Sequence, residues 1–387
     1  RAWYCFTVCG GEMMAFPKLR FKNAEGAEFT SWVTSFIGDE CKITTGNKDT
    51  QNKIDGGKYP FFVRSQTVER INTYSKDCEA VLTSGDGVGV GKNYHYINGK
   101  FDFHQRVYCL YDFSNQLLGK YLYIYFSNYF FDRVKRLSAK NSVDSVRMDM
   151  ISKMEIKLPS LVEQTKIASF LSNVDEKISQ LTQKHALLSQ YKQGMMQKLF
   201  SQQIRFKADD GSEFGEWVEW KFASCIDIFD NLRKPVSASE RKVGFTPYYG
   251  ANGIQSYIDG YTHEGEFILI AEDGANDLIN YPVQYVNGKI WVNNHAHVVS
   301  GKQHIVDNKF LKYRLGSIDF TKYLVGGGRA KLNAGAMKEI AFLLPCLEEQ
   351  TKIANFLSEI DQKIEVVAQQ IEQAKIWKKG LLQQMFV

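Results

Sequence analysis

Two stretches of the chain carry apolar residues in alternating steps of four and three, the spacing of a coiled-coil seam. The first seam comprises Ile167, Leu171, Val174, Ile178, Leu181, Leu188, Met195 and Leu199. The second comprises Ile353, Leu357, Ile360, Ile364, Val367, Ile371, Ala374, Leu381 and Met385. We therefore predict two long helices of about 38 residues, each about 57 Å long at about 1.5 Å per residue.

Both predicted helices have a clear start and share one irregularity. Pro159 and Pro345 precede them, and residues 160–163 (Ser-Leu-Val-Glu) fit a capping box at the start of the first helix. Lys192 and Lys378 interrupt the two seams at the same position of the repeat, so the interruption is part of the repeated pattern. A lone apolar stripe needs a partner, and two copies related by a rough two-fold axis would set the helices antiparallel. The alternative is that each helix packs only on its own globular part.

The chain is a tandem repeat of a unit of about 185 residues. Residues 158–178 and 344–364 agree at 15 of 21 positions, and the segments that begin RFK at Arg20 and Arg205 also match. The predicted boundaries are an N-terminal tail (1–15), a first globular domain (16–157), a central long helix (158–203), a second globular domain (204–343) and a C-terminal long helix (344–387).

The two globular domains differ in sequence but share landmarks. Short buried strands are predicted at 79–83 and 266–271, hairpins around Asn98-Gly99 and Asn287-Gly288, and helices at 121–136 and 309–325. Strands and helices are interspersed without a βαβ rhythm. We predict an α+β fold in which the two long antiparallel helices separate two related globular domains.

The composition excludes several classes of protein. Hydrophobic residues make up 44% of the chain and charged residues 24%, which is typical of a globular protein and not of a disordered one. The net charge of +5 is too weak to indicate nucleic-acid binding by itself. Seven scattered cysteines without a CxxC pair argue against a disulfide framework or a structural zinc site, and indicate free thiols in the cytoplasm. No apolar run is long enough to span a membrane.

Catalytic motifs are missing. The loop by which amino-methyltransferases of nucleic acids hold their target amine needs two adjacent prolines, and no two of the seven prolines are adjacent. A P-loop would need glycine at Asp86 and Ser or Thr at Asn93. His295 and His297 are spaced to share a metal on one strand face. We predict no metal site there, because no supporting carboxylate or cysteine is evident; contact with DNA and a structural role stay open.

Short loops carry the donor side chains that DNA recognition uses. In the first globular domain the candidates are Lys48, Arg64, Ser65, Gln66, Lys92, Asn93, Tyr94, His95, Gln105 and Arg106. In the second they are Arg233, Lys234, Tyr248, Tyr249, Asn252, Asn293, Asn294, His295, His297, Arg329 and Lys331. Ordinary solvent-exposed loops carry the same residue types. The prediction therefore rests on the corresponding placement of these residues in both copies of the repeat.

The doubled LPxLxEQTKIA segment resembles a known family. Together with the trailing segments at 194–200 and 380–386 and the two RFK entries, it closely resembles the DNA-specificity subunit of type I restriction–modification enzymes. The resemblance covers nearly everything from Phe16 to Val387; the N-terminal tail is its one departure.

The resemblance implies a non-catalytic subunit. Each globular domain would be a target recognition domain for one half of a split, asymmetric site in double-stranded DNA, and the helices would set the spacer. Two methyltransferase subunits would dock on the helical regions, and two motor-nuclease subunits can join. We assign partner contact to six residues: Glu163, Gln164, Lys166, Glu349, Gln350 and Lys352. S-adenosylmethionine, ATP and Mg would belong to the partners.

Two other functions compete with this interpretation. A free-standing DNA-binding regulator would bind its site tightly without partners. A metal-dependent nuclease or hydrolase would use His295 and His297 and would act on DNA by itself.

Overall fold

The computed structural model describes residues 17–87, 89–137, 145–326 and 330–386. The predicted N-terminal tail lies outside the described residues. The chain divides into two compact units: unit 1 is Arg1–Gln180 with Ile371–Val387, and unit 2 is Leu181–Gln370. Both division points fall inside the long helices, so each unit contains part of each helix.

The same order of elements occurs in both repeats. The first repeat contains β1 (Val33–Phe36), α1 (Ile37–Glu40), β2 (Lys42–Thr45), β3 (Tyr59–Phe62), β4 (Glu69–Ile71), β5 (Lys76–Ser84), β6 (Tyr94–Phe103), β7 (Val107–Tyr111), α2 (Gly119–Leu137), α3 (Met148–Ser152), β8 (Glu155–Leu158) and α4 (Leu161–Phe200). The second contains β9 (Val218–Lys221), α5 (Phe222–Cys225), β10 (Ile226–Ile228), β11 (Val243–Gly250), β12 (Gly253–Ile258), β13 (His263–Ala271), β14 (Val283–Val292), β15 (Ala296–Gly301), α6 (Asn308–Leu315), α7 (Ala334–Lys338), β16 (Ala341–Leu344) and α8 (Leu347–Met385).

Each unit is built on a six-stranded sheet of the same topology. The strand order is β2-β7-β5-β6-β3-β4 in unit 1 and β10-β15-β13-β14-β11-β12 in unit 2. All neighbours are antiparallel except β3 with β6 and β11 with β14. A two-stranded sheet, β1-β8 or β9-β16, precedes the long helix of each repeat. The α+β prediction is therefore confirmed.

The long helices run antiparallel, as predicted. The first half of α4 shares unit 1 with the end of α8, and the end of α4 shares unit 2 with the first half of α8. In unit 1, Leu171 and Val174 of α4 join one buried core with Leu381 and Met385 of α8. Burial of each such side chain contributes about 1.5–3 kcal/mol. The alternative that each helix packs only on its own globular part is wrong.

The predicted hairpins around Asn-Gly are wrong. Asn98-Gly99 and Asn287-Gly288 lie inside β6 and β14, where they pair with β5 and β13. Gly99 has φ 134° and Gly288 has φ 100°, values that disfavour residues with a side chain. An Asn-Gly pair thus marks an irregular point within a long strand as well as a tight turn.

The aromatic-rich segments are only partly helical. Helix α2 covers the first one, as predicted. The second forms the shorter α6, which ends at Leu315, and then a 3₁₀ turn at Phe320–Tyr323. Within the described ranges, no helix combines the length and the hydropathy needed to cross a membrane.

Candidate nucleic-acid interface

The repeated glutamate at the start of each long helix is buried and holds the RFK entry segment. Both Glu163 carboxylate oxygens accept hydrogen bonds from Arg20, at 3.0 and 2.7 Å, and Trp32 Nε1 donates to Oε2 at 3.1 Å. The bonds to Glu163 raise the pKa of the Arg20 guanidinium. The capping box is only half formed: the Glu163 amide donates to Ser160 Oγ at 3.4 Å, but the carboxylate points to Arg20.

The second repeat reproduces this arrangement atom for atom. Arg205 donates to the two Glu349 oxygens at 3.1 and 2.7 Å, and Trp217 Nε1 donates to Oε2 at 3.0 Å. Neither glutamate side chain is exposed. Arginine, glutamate and tryptophan therefore form one clasp in each repeat, which explains why the RFK segment recurs together with the tryptophan that follows it at Trp32 and Trp217.

The glutamine that follows each clasp glutamate is also buried. Gln164 Nε2 donates to the carbonyls of Gln116 and Pro159, and its Oε1 accepts from the Leu118 amide at 2.9 Å. Gln350 makes the equivalent three bonds in the second repeat, to Ile305, Pro345 and Asp307. One side chain thus pairs three backbone polar groups and joins the backbone before α2 or α6 to the backbone before α4 or α8.

This burial corrects the predicted partner contacts. The structure does not support partner contact through Glu163, Gln164, Glu349 and Gln350, because all four side chains are buried and bonded within the chain. The two lysines of the set are half-exposed: Lys166 and Lys352 donate to the carbonyls of Lys22 and Lys207, both at 2.7 Å. The EQTK motif therefore has an internal structural role.

A phenylalanine at the end of each long helix packs on the globular part of the other repeat. Phe386, after α8, lies 5.8 Å from the ring of Tyr121 and 5.7 Å from that of Tyr125 in unit 1. In unit 2, Phe200 of α4 lies 5.9 Å from the ring of Phe310. Each unit thus depends on residues from both repeats for its core.

A short turn after β6 and after β14 has the same construction in both units. In unit 1 the Arg106 amide donates to Nδ1 of buried His104 at 2.9 Å. In unit 2 the His295 amide donates to Oδ1 of buried Asn293 at 2.8 Å. The middle residue of each turn, Gln105 or Asn294, is exposed. We call these residues, 104–106 and 293–295, the recognition turns.

An aspartate from the preceding loop orients the last residue of each recognition turn. Asp86 pairs with Arg106 at 3.6 Å and with Arg64 at 3.1 Å. Asp273 pairs with His295 Nδ1 at 2.5 Å. Both aspartates lie in the Ser-Gly-Asp-Gly and Ala-Glu-Asp-Gly segments that are matched in the repeat. Sequence reasoning assigned these aspartates no role, which their matched positions in the two repeats could have indicated.

The imidazole of His297 is buried in an ion cluster. Its Nδ1 lies 2.6 Å from Asp230 Oδ2, and its Nε2 lies 2.8 Å from the Leu332 carbonyl oxygen. Both ring nitrogens therefore face oxygen atoms that can accept a hydrogen bond. Arg233 and Lys331 complete the cluster, each donating to Glu272, at 2.7 and 2.8 Å.

The cluster keeps its carboxylates ionised. Burial raises the pKa of Asp230, but hydrogen bonds from His297 and from the Val298 amide lower it further, so its pKa lies below the ordinary value. Burial likewise raises the pKa of Glu272, and bonds from Lys331 and Arg233 lower it below its ordinary value.

His295 and His297 therefore have separate roles. His297 is a structural residue of the ion cluster, whereas His295 is part of a recognition turn and its side chain is 39% exposed. They pair with different aspartates and do not converge on a common point. Among the described residues, no group of three His, Cys, Asp or Glu side chains is arranged to hold a metal ion.

The remaining predicted contacts fall into two groups. Exposed or half-exposed candidates are Lys48, Arg64, Ser65, Gln66, Lys92, Asn93, Lys234 and Asn252. Buried candidates, whose side chains belong to the core of their unit, are Tyr94, His95, Tyr248 and Tyr249. These four residues lie in strands β6 and β11, and their burial makes them unsuited to direct base contact. Arg329 lies outside the described residues.

Comparisons with known proteins place the chain in one family. A family model described as type I restriction modification DNA specificity domain matches it twice, over residues 30–190 and 217–375. A Haemophilus influenzae protein named as a specificity subunit of a type I restriction enzyme is 49% identical over 37% of this chain and 37% of its own length. The Escherichia coli EcoDI specificity subunit is 30% identical over 48% of this chain and 39% of its own. The chain thus matches well under half the length of these two relatives.

Other matches extend over nearly the whole chain. The MjaVIII specificity subunit of Methanocaldococcus jannaschii is 25% identical over 96% of both proteins. The crystal structure of a type I restriction–modification S subunit from M. genitalium superposes with a TM-score of 0.70 at 18% identity, covering 96% of this chain and 99% of that one. At this identity the likeness shows a common fold. Since the family model covers most of the chain in two copies, the chain belongs to the type I restriction modification DNA specificity domain family.

Proposed function

We propose that the chain is the DNA sequence-recognition subunit of a type I restriction–modification complex, and that it performs no chemistry itself. The observation that carries the proposal is the pair of recognition turns: one backbone arrangement presents Gln105 and Arg106 in unit 1, and Asn294 and His295 in unit 2. Turns of the same construction that present different side chains, Gln105 and Arg106 in one and Asn294 and His295 in the other, suit the recognition of two different sequences.

Each unit reads one half of a bipartite, asymmetric DNA site. The long helices set the spacer between the halves, and two methyltransferase subunits dock on the helical regions; two motor-nuclease subunits can join. S-adenosylmethionine, ATP and Mg bind to those partner subunits and not to this chain. Contacts to phosphates from exposed or half-exposed lysines such as Lys48, Lys92 and Lys234 would weaken binding as the salt concentration rises.

Exchange of one recognition domain tests the two-reader model. When residues 204–343 are replaced by the corresponding domain of another family member, only one half of the methylated sequence is expected to change. The measurement is methylome sequencing of cells that carry the complete system with either chain. A change in both halves would reject the model, and methylation that does not depend on the chain would reject the recognition function itself.

The exposed amide of the second recognition turn should matter for specificity but not for stability. We expect Asn294→Ala to weaken binding to the specific site by about 1–3 kcal/mol, because an amide can form two hydrogen bonds with a base edge. Binding of the complete complex to specific and unrelated duplexes gives the measurement. The matched control is Asn287→Ala, an equally exposed asparagine earlier in β14. Equal effects of the two substitutions would contradict the assignment.

The partner contacts need exposed residues on the helices in place of the buried clasp. Trp377 of α8 and Tyr191 of α4 occupy the same position of the repeat, and their side chains are 53% and 51% exposed. Two copies of one aromatic site suit two copies of one methyltransferase subunit, because aromatic side chains are common anchors at interfaces.

We expect Trp377→Ala to lose one of two bound methyltransferase subunits, and Trp377→Ala with Tyr191→Ala to lose both. The mass of the purified complex provides the measurement. The exposed Lys379→Ala, two residues further along α8, is the control and should retain both subunits. An unchanged mass for the double variant would place docking elsewhere.

A further inference from the structure

Each lysine that interrupts an apolar seam meets an aspartate of the other long helix. In unit 2, Lys192 of α4 bonds Asp361 of α8 at 2.6 Å. In unit 1, Lys378 of α8 bonds Asp175 of α4, also at 2.6 Å. Both lysine side chains are only 23% exposed. The two aspartates share one position of the repeat, as the two lysines do, so both ion pairs fit a single antiparallel register.

The apolar seam alone does not define that register. Apolar residues recur every seven positions, so sliding one helix by a heptad again brings apolar residues opposite each other. The lysines lose their partners in such a slide. Lys192 then faces Ala354 or Ala368 in place of Asp361, and neither offers a carboxylate.

The other pair gives the same result. After a slide of seven residues Lys378 faces Ala168 or Thr182 in place of Asp175. A lysine at a seam without its carboxylate is an uncompensated, largely buried charge, which strongly destabilises that arrangement. Among heptad-spaced registers, only the observed one pairs both lysines.

In unit 2 the aspartate is also fixed to the globular part. Asp361 accepts from Lys312 Nζ at 2.9 Å and from the Tyr313 hydroxyl at 2.7 Å, both in α6. The ion pair therefore joins α4, α8 and α6 at one point. At the end of α8, Tyr129 of α2 also donates to the Leu382 carbonyl oxygen at 2.9 Å, a second directional contact that holds this helix on unit 1.

We propose that Lys192 and Lys378 are positioning residues that lock the register of α4 against α8, and thereby define the number of base pairs accepted between the two half-sites. The inference rests on the proposed function, in which these helices set the spacer. A heptad slide moves one helix by about 10 Å, which corresponds to about three base pairs of duplex at about 3.4 Å each. Loss of the lock widens the range of spacers that the chain accepts.

The ion pair of unit 1, Lys378 with Asp175, suits an experiment that exchanges the two charges. The pair of unit 2 does not, because its Asp361 also bonds Lys312. The complete complex is tested on duplexes that carry the native spacer or spacers one or three base pairs longer or shorter. We expect Lys378→Asp to reduce discrimination between these sites about tenfold, equal to about 1.4 kcal/mol. The double variant Lys378→Asp with Asp175→Lys restores it, and the exposed Lys379→Asp leaves it unchanged.

Lys378→Met keeps the inference testable if the aspartate variant does not fold. Methionine continues the apolar seam, so this variant should unfold at the same or a higher temperature and still discriminate less between spacers. Unchanged discrimination in Lys378→Met would overturn the register lock. If the wild-type complex showed no preference for any split site, the proposed function itself would fail.

Discussion

Replacing Glu349 by alanine is expected to lower the free energy of unfolding by about 3–5 kcal/mol, because the substitution leaves a largely buried Arg205 without its carboxylate. The Trp217 indole loses its acceptor in the same step. The Arg205 side chain is 21% exposed and that of Glu349 is fully buried, so water replaces the two hydrogen bonds only in part. Urea denaturation followed by circular dichroism provides the measurement.

The neighbouring Glu348 is the matched control. It lies in the same first turn of α8 but is exposed, so Glu348→Ala should change stability by less than about 0.5 kcal/mol. Glu163→Ala tests the copy of the clasp in the first repeat and should cost as much as Glu349→Ala. If Glu348→Ala and Glu349→Ala were equally mild, the clasp would not hold the entry segment to the helix.

The clasp shows how far sequence reasoning extends. Arg20 and Glu163 recur in the second repeat as Arg205 and Glu349, and this recurrence indicated that both segments belong to the fold. It did not indicate that they touch, because 143 or 144 residues separate them and no local rule connects such distant positions. Glu163 also fits a local alternative, the capping box, and its long-range bonds to Arg20 and Trp32 prevail in the structure.

The helices were predictable because their signal is local and repeated. Apolar residues spaced in alternating steps of four and three over eight or more positions are compatible with few structures other than a long helix. The Asn-Gly pairs were ambiguous, since glycine with positive φ serves a tight turn and an irregular strand equally well. Only the pairing of β6 with β5 decides between the two at Gly99.

The recognition turns could be predicted as loops but not as a matched pair. His104 and Asn293 differ chemically, yet ring nitrogen and amide oxygen accept the same backbone hydrogen bond two residues later. An alignment by residue type misses this equivalence. The aspartates that orient the turns, Asp86 and Asp273, are acidic and were therefore passed over in a search for DNA-binding cations.

Replacing His297 by leucine is expected to destabilise the chain by about 3–5 kcal/mol, because Asp230 loses its buried partner and the Leu332 carbonyl loses its donor. Leucine has a similar volume, so the loss would reflect the ion cluster and not a cavity. The control is the exposed His304→Asn: His304 has φ 65°, a conformation that asparagine also adopts. If His297→Leu unfolded at the same urea concentration as the control, His297 would not be the structural residue of the cluster.

Lowering the pH should destabilise the same cluster, because the pKa values of its two carboxylates are lowered in the folded chain. Their pKa values lie below the ordinary 3.8 for Asp230 and 4.5 for Glu272, so the stability they contribute is complete above those values. It is lost as the pH falls through the lowered values in the folded chain. Without His297 the pKa of Asp230 moves back toward its ordinary value, and less stability remains to be lost. The His297→Leu variant should therefore be less stable than the wild type at neutral pH. Below pH 4.5, the urea concentration at its unfolding midpoint should fall less steeply than that of the wild type. An equally steep fall in both proteins would show that His297 does not hold the Asp230 carboxylate ionised.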